Sequence, residues 1–143
     1  MDVTGASGAI PRDDVTRMSE HANRYYEEIR KRTSDVEKIA KNTGFSIDDI
    51  KTIKQHVFFN EYDLGGSEEE RFAADYDMSI SWQRLIDGKS IQDMDIIMLK
   101  HELMEYNLMK EKEMSYFDAH NVTEKTHNYS QYIKDLNRKA GLM

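Results

Sequence analysis

The chain has 143 residues, 38% hydrophobic and 33% charged, with one proline, seven glycines and no cysteine. That length holds about one domain with one modest core, and the missing cysteines exclude disulfides, thiolate catalysis and every Cys-based zinc site. The formal net charge of -7 opposes a broad electrostatic grip on nucleic acid, because phosphate binding leans on Lys and Arg; nucleic acid keeps a place only as the substrate of a small local site.

No run approaches the roughly 18 uninterrupted apolar residues of a membrane span, and the N-terminus lacks the basic and apolar regions of a signal peptide. No membrane partner is expected. The opening MDVTGASGAI is small and Gly/Ser-rich, which predicts a flexible linker over 1–11 followed by a single helical domain over 12–143. Four stretches then match the pattern in which a hydroxyl caps a helix and an acid follows at its third residue. They are Ser34-Asp-Val-Glu37, Ser46-Ile-Asp-Asp49, Ser90-Ile-Gln-Asp93 and Ser115-Tyr-Phe-Asp118. Gly44 and Gly88 stand where the preceding helices should end.

These signals predict six helices, at about 13–31, 34–43, 46–59, 78–87, 90–111 and 115–135, packed as a compact all-α bundle. HVFF, at the end of the third, is short enough to suit a strand, but it continues the helical pattern of Ile47, Ile50, Ile53 and Val57. The segment NEYDLGGSEEERFAADYD, residues 60–77, carries Gly65-Gly66 and a run of acids and reads as one long loop.

Each helical residue turns about 100°, so faces follow from spacing. In the fifth helix Met94, Ile97, Met98, Met104 and Leu108 form an apolar stripe; His101 and Glu105 fall inside it one turn apart, and Glu102 lies on its edge. A carboxylate turned into a core is costly unless it is paired or bound to a cation. In the last helix His120, Glu124 and His127 share one face, while Ala119, Val122, Thr126 and Ile133 form the packing side. Facing helices with these residues are enough for a His/carboxylate metal site, with Glu102 as a nearby general base. The competing reading is a satisfied buried hydrogen-bond network, with the His120–His127 stripe as a solvated face. LKHELMEYNLM is not the zincin H-E-x-x-H pattern, because Glu105 stands where the second His would be.

His56 lies about 120° from the centre of its helix's apolar stripe, which favours a boundary position but leaves open a buried role in the same site. Trp82, Leu85 and Ile86 read as core, the nine methionines as core filler. His21, on a charged helix beside Asn23, Tyr25 and Tyr26, carries no chemistry in this reading.

The segments YYEEIRKRTSDVEKIAKNTGFSIDDIKTIKQHVFF, RFAADYDMSISWQRL, LKHELMEYNLM and DAHNVTEKTHNYS together resemble a domain found at the C-terminal ends of phage head-morphogenesis (minor head) proteins and of polymorphic-toxin-like proteins. The resemblance spans nearly everything after residue 20. It implies recurring polar positions at His56, Asp95, His101, Glu102, Glu105, His120 and Asn128-Tyr129. It also implies a helical domain appended to a larger phage or secretion-type protein, in the bacterial cytoplasm or associated with a virion. Its partners would be that parent protein, a virion component or an immunity-type protein.

Two main expectations follow. One is an effector-like, metal-dependent hydrolase, with His101, Glu105 and His120 holding a divalent ion such as Zn or Mn, Glu102 as base and His56 as accessory acid or orienter. The other is a non-catalytic phage structural or interaction module whose His/Glu cluster fixes helix packing. A third, an acidic regulator of a basic partner, rests on the charge alone.

Overall fold

The computed structural model describes residues 15–127. The expected linker, Asn128-Tyr129 and the part of the last helix beyond 127 lie outside these residues. Six α-helices follow in order: α1 Val15–Lys31, α2 Asp35–Thr43, α3 Ile47–Lys54, α4 Tyr76–Asp87, α5 Asp93–Glu111 and α6 Tyr116–Thr126. Among the described residues there is no strand, only one isolated antiparallel bridge between Tyr62 and Glu70. The fold is therefore the all-α bundle expected from the sequence, with residues 60–75 as its long connection.

The helix ends follow local chemistry. Ser46 and Ser115 accept hydrogen bonds from Asp49 N and Asp118 N, at 3.0 and 3.2 Å, the side-chain capping that first-turn N–H groups need. Ser34 makes no such bond. Ser90 does not start α5. It has φ 58°, and the helix begins three residues later, where the Gln92 N–H donates to Asp95 Oδ2 at 2.9 Å. An acid at the third helical position thus captures the chain from Gln92 instead of Ser90. Gly88 ends α4 at φ 71°, and a Cβ there would meet the Asn42 amide at 2.8 Å, so both conformation and space require glycine.

The core draws Tyr25, Tyr26 and Ile29 from α1, Ile39 from α2, Ile50 and Ile53 from α3, Trp82 and Leu85 from α4, and Met94, Met98 and Leu99 from α5. A buried ionic knot joins three of these helices. Asp35, at the start of α2, accepts from Lys54 Nζ at 2.8 Å and from Trp82 Nε1 at 3.1 Å. Lys54 also donates to the Arg32 carbonyl at 2.9 Å. Asp95 is held the same way, by two bonds of 2.8 and 2.6 Å from Arg84.

Two sequence expectations shift in this packing. α5 touches α3, α4 and α6, so its inward face is wider than one stripe. Met94, Asp95, Met98, Leu99, His101 and Glu105 are buried, whereas Ile97, Met104 and Leu108 are half-buried. His21, read from the sequence only as a residue of a charged helix, is buried with its ring against Tyr25 and Tyr76. Burial, then the charge of Arg24, pushes its pKa down.

After Lys54 the third helix widens into a π-helical segment, Gln55–Phe59. It closes with the Asn60 N–H on the Gln55 carbonyl at 2.8 Å, and His56, Val57 and Phe58 are all buried within it. The extra residue per turn alters the phase on which a straight α-helix would put His56 at the boundary. His56 is instead fully buried.

Candidate metal centre

Three imidazoles from three parts of the chain converge on one carboxylate. The π-segment brings His56, α5 brings His101 and Glu105, and α6, packed along α5, brings His120. Glu105 Oε1 lies 2.7 Å from His56 Nε2, while its Oε2 lies 2.8 Å from His120 Nδ1 and 3.2 Å from His101 Nε2. Glu102, one residue off the α5 inner line, places Oε2 3.3 Å from His56 Nε2. All five residues singled out in the sequence thus meet in one place.

The opposite nitrogen of each ring also has a neighbour. His56 Nδ1 lies 2.7 Å from the Tyr62 hydroxyl, which accepts from Asn60 Nδ2 at 3.0 Å. His101 Nδ1 lies 2.9 Å from the His127 carbonyl oxygen. His120 Nε2 lies 3.5 Å from Glu124 Oε1. Of the expected His120, Glu124 and His127 face, the first two join the cluster through their side chains. His127 caps α6 and contributes its carbonyl. Asp95 stays apart, in its ion pair with Arg84.

The ionic balance follows from these contacts. Burial pushes the His56 pKa down, but hydrogen bonds to Glu102 and Glu105 outweigh it and raise the value to about 11. His101 follows the same pattern: burial opposes its charge, and the Glu105 hydrogen bond with the Glu102 charge raises it to about 9. Burial raises Glu105, but the bonds to His101 and His56 hold it well below the usual carboxylate range. A carboxylate among imidazolium ions is thereby stabilised in a setting that would otherwise expel charge.

The cluster is not sealed. A cavity of about 270 Å³ is lined by His101, Glu102, Glu105, His120 and Glu124, together with Tyr26, Phe72, Asp75, Met78 and Tyr116. The His120 side chain is 32% exposed and that of Glu124 19%, against 2% for Glu105, so the opening lies on the α6 side. Phe72 stands edge-on to His56 at 5.2 Å, and Tyr116 lies 5.5 Å from His120, giving the ring cluster an aromatic wall. Asp75 caps α4 through Asp77 N at 2.8 Å. Burial, then the negative charge of Asp77, raises its pKa, with Glu102 adding to the effect.

Two groups, His101–His120–Glu124 and His56–Glu102–Glu105, each bring three ligand atoms within 4.8 Å of one another. This is a helical domain with buried His/Glu groups able to hold a metal ion. Tyr62, Phe72, Asp75 and Tyr116 were not among the residues the sequence singled out. Asp75 directly precedes α4 and was legible as a cap, but nothing in the loop's spacing aims it, Tyr62 or Phe72 at the histidines. Among the described residues no helix is long and apolar enough to cross a membrane. Comparison of the chain with family profiles, curated proteins and solved structures finds no match.

Proposed function

We propose that this domain is a metal-dependent hydrolase of effector type, in which His101, Glu105 and His120 hold a divalent ion and Glu102 acts as general base. The observation that carries the reading is that the convergent His/Glu cluster opens onto a cavity of about 270 Å³ through half-exposed His120. A group serving packing alone has no need of that opening. Imidazole with carboxylate suits Zn²⁺ or Mn²⁺, and such an ion lowers the pKa of bound water from 15.7 toward neutrality. Glu102 lines the same cavity as His101 and His120. His56, hydrogen-bonded to Glu105, orients that carboxylate.

Peptides and nucleic acids are the two substrate classes to test. The resemblance to phage minor-head and toxin-like domains supports an effector appended to a larger protein, with a virion or immunity-type partner. The experiment is calorimetric titration of chelator-treated protein with Zn²⁺, Mn²⁺ and Mg²⁺, followed by turnover assays on fluorogenic peptides, single-stranded RNA and DNA. Binding of one ion type and metal-dependent turnover, both lost in His120→Ala, are expected. No binding by any of the three ions, or binding without turnover of any substrate, rejects the hydrolase.

One observation favours the structural alternative: both Glu105 oxygens are already engaged by imidazoles. In that reading, replacing His101 and Glu105 together with size-matched apolar residues leaves folding and biological activity intact. A well-folded double variant without activity excludes it.

A further inference from the structure

We infer that the cluster is built for two divalent ions, with Glu105 as the carboxylate between them; this rests on the metal-binding reading above. The first ion lies between His101 Nε2, His120 Nδ1 and Glu105 Oε2, and the second between His56 Nε2, Glu102 Oε2 and Glu105 Oε1.

The donor atoms divide along the carboxylate itself. On its Oε2 side stand two imidazole nitrogens, at 3.2 and 2.8 Å. On its Oε1 side stands His56 Nε2 at 2.7 Å, which is also 3.3 Å from Glu102 Oε2. Ligands about 2.0–2.1 Å from a tetrahedral ion sit roughly 3.3 Å from one another. The contacts at Glu105, 2.7, 2.8 and 3.2 Å, and the 3.3 Å between His56 and Glu102 lie close to that spacing.

The opposite nitrogens supply an independent observation. A metal-binding imidazole ordinarily gives its other N–H to a carbonyl, carboxylate or comparable oxygen, which fixes ring and tautomer. Here the His101 nitrogen facing away from Glu105 meets the His127 carbonyl, and that of His56 meets the Tyr62 hydroxyl, at 2.9 and 2.7 Å. Neither partner belongs to the cluster, and His56 is fully buried with both nitrogens so assigned. Glu124, 3.5 Å from His120 Nε2, does the same for the third ring; the approach to Glu105 is closer, which is why Glu105 rather than Glu124 is taken as ligand.

Four carboxyl side chains, Asp75, Glu102, Glu105 and Glu124, line the cavity. Two ions bridged by a carboxylate would supply a clamp for the attacking and leaving oxygens of a hydrolysed phosphate ester. With both ions bound Glu102 and His56 serve as ligands; with one ion bound they keep the roles of base and orienter given above.

The test uses the whole chain, stripped with chelator and reloaded with Mn²⁺. Metal content is read by mass spectrometry, and spin coupling by electron paramagnetic resonance. Two ions per chain with an exchange-coupled spectrum are expected, falling to one uncoupled ion in Glu102→Gln, whose side chain is partly exposed. Circular dichroism of that variant must match the parent, and His120→Asn gives a second arm by emptying the first position. One ion in the parent, unchanged by Glu102→Gln, overturns the second position and leaves the single-metal hydrolase standing. No ion at all overturns both. Two uncoupled ions, one of them lost in Glu124→Gln, refute Glu105 as the bridge.

Discussion

Glu105→Gln separates an ionic network from a mere polar contact. The substitution keeps the shape but removes the charge on which His56, His101 and His120 converge at 2.7, 3.2 and 2.8 Å. A hydrogen bond to a charged group contributes about 1.5–3 kcal/mol, yet three on one carboxylate do not add. Removing one member of a buried ion pair costs about 3–5 kcal/mol, and the low end applies because His56 and His101 can shed protons once the carboxylate is gone. A loss of about 3 kcal/mol at roughly 3–5 °C per kcal/mol for a domain of this size lowers Tm by about 9–15 °C. The assay is thermal unfolding by circular dichroism in the metal-free protein, from pH 3 to pH 10.

The pH profile carries the sharper prediction. Glu105 is held below its ordinary value, so its contribution is complete above about 4.5 and fades as acid protonates the folded state. His101 is raised to about 9, so its contribution is complete below about 6.5 and fades as pH climbs through 9. The gap between parent and Glu105→Gln is therefore widest between about pH 4.5 and 6.5. A gap below about 3 °C in that window, or one that widens above pH 9, refutes the ionic account.

Three further outcomes follow. Zn²⁺ or Mn²⁺ at a hundred times Kd raises stability by about 2.7 kcal/mol, and excess chelator returns Tm to its starting value; an unchanged Tm with metal counts against any ordered site. Asp35→Leu leaves Lys54 and the Trp82 indole N–H buried without their shared carboxylate and costs about 3–5 kcal/mol, whereas Asp35→Leu with Lys54→Met recovers a large part of it; denaturant titration of both variants checks this. Gly88→Ala, at φ 71° with Asn42 2.8 Å from the new Cβ, costs about 1–2 kcal/mol, and an unchanged midpoint would show that α4 and α2 adjust more freely than the packing implies.

The all-α class was legible because capping residues and 3.6-residue periodicity are local signals: Ser46, Ser115, Gly44 and Gly88 end or begin helices as read. Ser90 misled because the competing acid, Asp95, lies beyond the pattern that was matched. In α5 the inward placement of His101 and Glu105 followed from phase, and α6 supplied His120 because its face had been read in the same way. Nothing local could reveal that Tyr62 and Phe72 fold back from the acidic loop onto His56. Nor could helical phase bury His56, since that phase assumes a regular α-helix.

The widened turn at Gln55–Phe59 sets two registers against each other. His56 must reach Glu105, while Val57 and Phe58 must fill the core beside Tyr26 and Trp82. Deleting one residue here lets the turn close to an ordinary α-helix, on which three consecutive residues span about 200° and cannot all face inward. Such a chain keeps either its hydrophobic packing or its third imidazole, never both. The cluster thus depends on chain length at this point as much as on residue identity: a single-codon deletion, with every histidine and glutamate retained, disassembles it.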